Sequence, residues 1–207
     1  MIARLDAAAL AAHLRGGGTI VDVREPPMYA DAHVRGALNV ALSNRSAPYW
    51  LNVLTDPRDR LAFVTATPYE LDVVRDLLDA AEREGAGAIA FDADAFARAG
   101  LAIASMRTIT PDDLADERDT IVLDVREADE WVAGHVPGAL WIPLDELRAR
   151  VGEVPPGRVA AICASGFRSS AAASILEAAG RGDVANVWGG TTAWTQLGFP
   201  LRRGRAP

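Results

Sequence analysis

Short apolar runs of four to six residues, rich in β-branched side chains, alternate along this chain with segments whose apolar residues recur at helical spacing. In the second half the runs are Thr120 to Val125, a stretch near Ala139 to Ile142, Val159 to Ile162, and Val184 to Val187. They are too uniformly apolar for strands with one wet face, so they are predicted to be buried on both sides. Between them the pattern predicts helices. One opens at Pro111, a short one covers Ala128 to Ala133, another covers Leu144 to Val151, and a long one covers Ser169 to Ala179. In the long one, Ala172, Ile175, Leu176 and Ala179 share a face, and Gly180 ends it. A last helix runs through Trp194 to Leu197. Thr110 reads as an N-cap, with Pro111 in the first helical position and Asp113 behind it. Short buried strands alternating with helices predict an α/β fold: a small parallel sheet covered by helices on both faces. Such sheets bind ligands at the carboxyl ends of their strands.

The pattern occurs twice. Thr19-Ile20-Val21-Asp22-Val23-Arg24-Glu25 matches Ile121-Val122-Leu123-Asp124-Val125-Arg126-Glu127, 102 residues on. Ala32-His33-Val34-Arg35-Gly36-Ala37-Leu38 matches Gly134-His135-Val136-Pro137-Gly138-Ala139-Leu140 at the same offset. Past a gap the offset becomes 98, which pairs Val64-Thr65-Ala66-Thr67 with Ile162-Cys163-Ala164-Ser165, and Phe96 to Ile103 with Trp194 to Leu201. A period near half the chain length means two copies of one fold. The seam falls near Ala104 and Ser105, giving domains 1–104 and 105–207.

The chemistry differs between the copies. The only cysteine, Cys163, ends a predicted strand and opens the loop Cys163-Ala164-Ser165-Gly166-Phe167-Arg168-Ser169 before the long helix. At such a turn backbone N–H groups converge and the helix dipole is positive, which favours a thiolate and makes an anion pocket. A lone cysteine is otherwise a small buried apolar residue. The glycine lets the backbone curl so that several amides aim at one point. Arg168 adds a fixed positive charge, either favouring the thiolate or holding the loop through its carbonyls. In the first copy Thr65 stands for Cys163. Pro68 stands for Gly166 and removes a donor, Glu70 stands for Arg168, and Ala90-Phe91-Asp92 stands for Trp188-Gly189-Gly190. Each change weakens anion binding, so residues 1–104 are expected to be non-catalytic.

Composition narrows the function classes. Of 207 residues, 50% are hydrophobic and 24% charged, an ordinary globular balance. No apolar stretch is long enough to span a bilayer, and the N-terminal residues lack the layout of a signal peptide. One cysteine cannot form an intramolecular disulfide, which fits a reducing, cytoplasmic setting. The net charge is −7 and the 21 basic residues are all arginine, so nucleic acid and anionic membranes are poor partners. The one basic cluster, Arg202-Arg203-Gly204-Arg205, reads as a solvated end. Arginine without lysine, in an alanine-rich chain, points to a GC-rich bacterial genome. Three scattered histidines and one cysteine make no zinc site, and no nucleotide-type glycine motif is present, so no metal or cofactor is expected.

Taken together, Asp124-Val125-Arg126-Glu127, Gly134-His135-Val136-Pro137-Gly138-Ala139, the loop Cys163 to Ser169, Trp188-Gly189-Gly190 and Ala193-Trp194…Gly198-Phe199-Pro200 make the second copy resemble a rhodanese domain. The first copy resembles a degenerate one. The resemblance implies transfer of a sulfane sulfur through a persulfide on Cys163, with Ala164, Ser165, Gly166, Phe167, Arg168 and Ser169 as its cradle. It implies a small-molecule donor, thiosulfate or a low-molecular-weight persulfide, and a thiol or cyanide as acceptor. With Arg168 the only charged residue in the loop, a persulfide donor or weak use of thiosulfate is expected. Arg126 occupies a position that in similar sulfurtransferases contacts an anionic donor; the alternative is an ion pair with Glu127 or Glu130. A second reading is a sulfur-carrier or docking module for a desulfurase or a persulfide-oxidising partner. A third is a cysteine phosphatase or arsenate reductase, although the loop has four residues between Cys163 and Arg168 where that pattern has five. His135 and Asp124 suggest a hydrolase, but both repeat as His33 and Asp22 in the copy without cysteine, so they belong to the fold. Trp188 and Trp194 are expected to pack between sheet and helix, with Trp188 also able to border the pocket.

Overall fold

A computed structural model describes residues 2–204, so Arg205 of the basic tail lies outside the described residues. The chain divides between Ser105 and Met106 into two compact units.

The first unit contains α1 (Ala7–Arg15), β1 (Thr19–Asp22), α2 (Pro26–Asp31), β2 (His33–Val34), β3 (Leu38–Asn39) and α3 (Ala47–Leu54). There follow β4 (Leu61–Thr65), a 3-10 turn (Pro68–Glu70), α4 (Leu71–Ala81), β5 (Gly85–Ala90), α5 (Ala93–Arg98) and β6 (Ile103–Ala104). Its main sheet is parallel throughout, in the order β3-β1-β4-β5. Arg4 adds a parallel bridge to Ala88 beyond β5, and β2 pairs antiparallel with β6.

The second unit contains β7 (Arg107–Ile109), α6 (Pro111–Asp116), β8 (Thr120–Asp124), α7 (Ala128–Ala133), β9 (Leu140–Trp141) and α8 (Leu144–Arg150). A 3-10 turn (Val151–Glu153) leads to β10 (Arg158–Ile162), α9 (Phe167–Ala178), β11 (Val184–Val187) and α10 (Gly190–Gln196). The parallel sheet runs β7-β11-β10-β8-β9. Each unit has the predicted α/β architecture, and the two share one topology: Arg4 stands beside β5 as β7 stands beside β11. The offset of 98 survives in the register, since Phe63 lies opposite Ala88 and Ala161 lies opposite Asn186.

β10 is central, and Val159, Ala160, Ala161 and Ile162 are fully buried, as a strand covered on both faces requires. Ile162 and Val187 meet Leu114 and Trp194 on one side of this sheet. The predicted start of α6 carries a reciprocal capping box: Asp113 N–H donates to Thr110 Oγ1 at 3.2 Å and Thr110 N–H to Asp113 Oδ2 at 2.8 Å. The long helix departs from expectation. It begins two residues earlier, at Phe167, and Ser169 to Leu176 are buried all round, not along one stripe. Alanine and serine make it slim enough to seat against α8, β10 and β11 at once. Its first turn thereby lies directly behind the cysteine loop. Among the described residues, no helix is long and apolar enough to cross a membrane.

Candidate active site

Cys163 follows β10 at its carboxyl end, and α9 begins four residues later. The residue is 1% exposed. The Gly166 N–H donates to its sulfur at 3.1 Å. Gly166 has φ +113°, and a Cβ there would lie 2.6 Å from the Trp188 ring, so only glycine makes this turn. The loop is held from behind. The Cys163 carbonyl accepts from Thr191 N–H at 2.8 Å, that of Ala164 from Thr192 N–H at 3.0 Å, and that of Ser165 from Gly189 N–H at 3.1 Å. N–H and C=O of a planar peptide point in opposite directions, so pinning three carbonyls to the start of α10 turns the linking amides away from it. Gly190 makes this contact possible: its φ is +54°, and a Cβ would lie 2.2 Å from the Cys163 carbonyl oxygen. Gly189, Thr191 and Thr192, with Gly190 allowing the close approach, are therefore the brace of the loop.

α9 has twelve residues, and the first N–H groups of any helix lack an intrahelical acceptor. They set a partial positive charge beside the sulfur. The Ser169 hydroxyl, in the first turn, is 3.3 Å from Sγ and 2.7 Å from Asn186 Oδ1 on β11. Around this core, Ser165 is exposed, while Ala164, Phe167 and Arg168 are half-buried. The Phe167 ring lies 5.6 Å from that of Trp188, which is half-buried as well.

Each of the two arginines has a partner that the sequence did not single out. Arg168 does not bind loop carbonyls. Its Nη1 and Nη2 donate to Glu130 at 2.6 and 2.8 Å. Burial opposes its charge, but the hydrogen bonds to Glu130 and the fields of Cys163, Glu130 and Glu127 outweigh that and push its pKa further up. Burial would likewise raise the Glu130 carboxyl. Its bonds to Arg168, the Arg168 charge and the Glu127 amide overcome this and hold it below the ordinary value. Glu127, pushed up by burial and by Asp145, Glu130 and Asp129, adds a further acid here.

Arg126 is 5% exposed, and its guanidinium is turned to Asp124: Nε donates at 2.9 and 3.1 Å and Nη2 at 2.6 Å, with a further bond to the Gly134 carbonyl at 2.9 Å. It thus pairs with neither Glu127 nor Glu130, and it is not aimed at the sulfur. Arg24 holds Asp22 at the same three distances in the copy that lacks cysteine. The same buried arginine fork therefore recurs in the unit without the thiol. His135 behaves in the same way. Its ring stacks on Trp131 with centroids 3.5 Å apart, and Nδ1 lies 2.9 Å from the Trp131 carbonyl. A carbonyl only accepts, so Nδ1 carries the proton. His33 repeats both contacts with Tyr29.

In the first unit the equivalent loop is filled by its own chain. Glu70 Oε2 accepts the Ala66 N–H at 2.9 Å, and Thr65 Oγ1 donates to the Thr67 carbonyl at 2.9 Å. Pro68 opens a 3-10 turn where the second unit has the curl of Gly166. Phe91, in place of Gly189, stacks under Arg24 at 3.7 Å. The Ala66 amide of this loop is thus already taken by a carboxylate of its own chain.

Sequence reasoning missed Glu130 as the partner of Arg168, Asn186 beneath Ser169, and Thr191 and Thr192 as anchors of the loop. The Trp188-Gly189-Gly190 motif was a signal for the anchors. Only the register of β10 against β11 could have pointed to Asn186.

A sequence model of the rhodanese-like domain matches residues 6–67 and 110–197. A sulfurtransferase of Allochromatium vinosum is 38% identical over 89 residues, covering 42% of this chain and 83% of that protein. The thiosulfate sulfurtransferase GlpE of Pseudoalteromonas translucida is 31% identical over 83 residues, covering 40% of this chain and 79% of that protein. The crystal structure of a rhodanese-related protein from Thermoplasma volcanium matches 47% of this chain and 99% of its own, with 35% identity and a TM-score of 0.45. With both halves matched, in the order the repeat requires, this chain belongs to the rhodanese-like domain family and carries that domain twice.

Proposed function

We propose that the second unit transfers a sulfane sulfur through a persulfide on Cys163, and that the first unit carries no sulfur. The observation that carries this reading is the loop: a sulfur atom that accepts the Gly166 N–H, at the start of a helix, with its own carbonyls tied back. Cys163 thiolate attacks the outer sulfur of the donor. The donor S–S bond breaks, and its electron pair leaves with a thiolate or sulfite. The outer sulfur, now joined to Cys163 as an anionic persulfide, rests among the loop amides. An acceptor thiolate or cyanide then attacks that sulfur, and Cys163 departs as thiolate with the bonding pair. One transfer becomes two easier steps.

The preferred donor is a low-molecular-weight persulfide. Thiosulfate brings two negative charges, and the one cation of the loop is already neutralised by Glu130, with Glu127 nearby. The cradle is short for a tetrahedral oxyanion, and no phosphatase activity is expected.

The test is steady-state turnover of glutathione persulfide and of thiosulfate, with cyanide and thiols as acceptors, together with intact mass after incubation with donor. The expected results are a one-sulfur adduct, catalytic turnover, and loss of both in Cys163→Ser with the fold retained. An adduct without turnover would make the protein a carrier. Substantial turnover in Cys163→Ser would end the proposal.

A further inference from the structure

Beneath the sulfur lies a buried polar pair that the mechanism above does not use. Ser169 is 0% exposed and Asn186 1%. The Ser169 oxygen sits 3.3 Å from Cys163 Sγ and 2.7 Å from Asn186 Oδ1, while Asn186 Nδ2 is buried with no hydrogen-bond partner. A hydroxyl has one proton, so it can donate to the amide oxygen or to sulfur but not to both. A thiolate has no proton and can only accept. If the hydroxyl turned to an anionic sulfur with Asn186 as placed, two lone-pair oxygens would face each other at 2.7 Å.

Half a turn of the Asn186 amide removes the conflict. It brings Nδ2 to the serine oxygen, gives the orphan donor an acceptor, and frees the hydroxyl proton for sulfur. The result is a directed chain, Nδ2–H to Oγ and O–H to S⁻, in which each bond polarises the next. We propose that Asn186 is a positioning residue for sulfur chemistry: its amide, through Ser169, sets the direction of a hydrogen-bond relay that stabilises charge on Cys163. This rests on Cys163 being the working nucleophile.

The chain holds its own control. At the equivalent positions of the first unit stand Leu71 and Ala88, and Ala88 pairs with Phe63 in β4 as Asn186 pairs with Ala161 in β10. The fold therefore needs neither polar side chain. A buried donor without a partner is costly. Here it accompanies the thiol, and both polar residues are missing where the thiol is missing.

The relay acts at two moments. It stabilises the thiolate before attack, and it stabilises the charge that returns to Sγ when the persulfide gives up its sulfur. The experiment is the pH profile of Cys163 alkylation by iodoacetamide in the full chain. Wild type is compared with Asn186→Ala (the residue the first unit uses), Ser169→Ala and the double variant. Each single variant is expected to move the profile to higher pH by about half to one unit. The double variant is expected to move it no further than Ser169→Ala, because Asn186 acts only through that hydroxyl. A profile of Asn186→Ala that coincides with wild type overturns the proposal, as does an Asn186 effect that persists without Ser169. Should Asn186→Ala not fold, the side-chain amide NMR signals of Asn186 in the wild type serve instead. They are expected to titrate together with alkylation and to stop doing so in Ser169→Ala; signals that stay flat overturn the relay. Alkylation needs no sulfur donor, so its failure and the failure of sulfur transfer are read separately.

Discussion

The Arg168 guanidinium and the Glu130 carboxylate are joined by two hydrogen bonds, 2.6 and 2.8 Å long. The cation that closes the cysteine loop therefore arrives with its counter-ion attached. In the first unit the two equivalent residues are Glu70 and Met28, so this pair, unlike the Asp-Arg forks, goes with the thiol.

Glu130 consequently tunes donor choice. Glu130→Gln leaves Arg168 charged but unpaired, close enough to Cys163 for their charges to couple. We expect kcat/KM for thiosulfate to rise about fivefold relative to glutathione persulfide, the equivalent of about 1 kcal/mol for one partly exposed charge. An unchanged ratio would show that Arg168 plays no part in donor discrimination.

The same pair sets a pH dependence of stability. The folded-state value of Glu130 is lowered, so its contribution is complete above the ordinary carboxylate range and is lost as pH falls through the lowered value. Glu127, pushed up by burial and its acidic neighbours, works in the opposite sense, so the informative quantity is a difference. The melting temperature of wild type minus that of Glu130→Gln should shrink between about pH 5 and pH 3. Tryptophan fluorescence suits the measurement, since of the five tryptophans only Trp50 lies in the first unit.

Arg126 is expected to hold the fold and not the donor. Arg126→Ala strands Asp124, 0% exposed, without its counter-ion. Breaking a buried pair in this way costs about 3–5 kcal/mol. Arg24→Ala should cost a similar amount in the first unit, because the fork there is the same. Urea unfolding measures both. A fully stable Arg126→Ala with only a raised KM for donor would restore the donor-contact role.

The brace behind the loop should be as important as the loop. Gly190→Ala drives a methyl group into the Cys163 carbonyl and distorts the cradle without changing any loop side chain. A displacement of about 1 Å at a reacting atom is worth on the order of 100-fold in rate, and kcat/KM is expected to fall by that much. Circular dichroism should remain close to wild type; near-normal turnover would mean the loop keeps its shape without the brace.

Much of this molecule is written locally in the chain. β-branched runs, the Thr110 cap, the glycine stops and the repeated Asp-Arg and histidine motifs are set by residues near one another, so period, topology class, duplication and the Cys163 loop are all legible in the sequence. The likeness of His135 to His33 in the sequence is matched by the same stacking and carbonyl contacts in both units. The arginines were harder. For Arg126 the sequence left donor contact and an ion pair with Glu127 or Glu130 both open, and its partner two residues back was not singled out, because alternating residues on a strand give no hint that a side chain folds back at the strand's end. Arg168 meets Glu130 across 38 residues and Ser169 meets Asn186 across 17. Such contacts depend on which strand lies beside which and on how α9 is seated. Only the tertiary structure decided them, because charge pairing and the satisfaction of a buried amide depend on separation in space, and sequence distance does not record it.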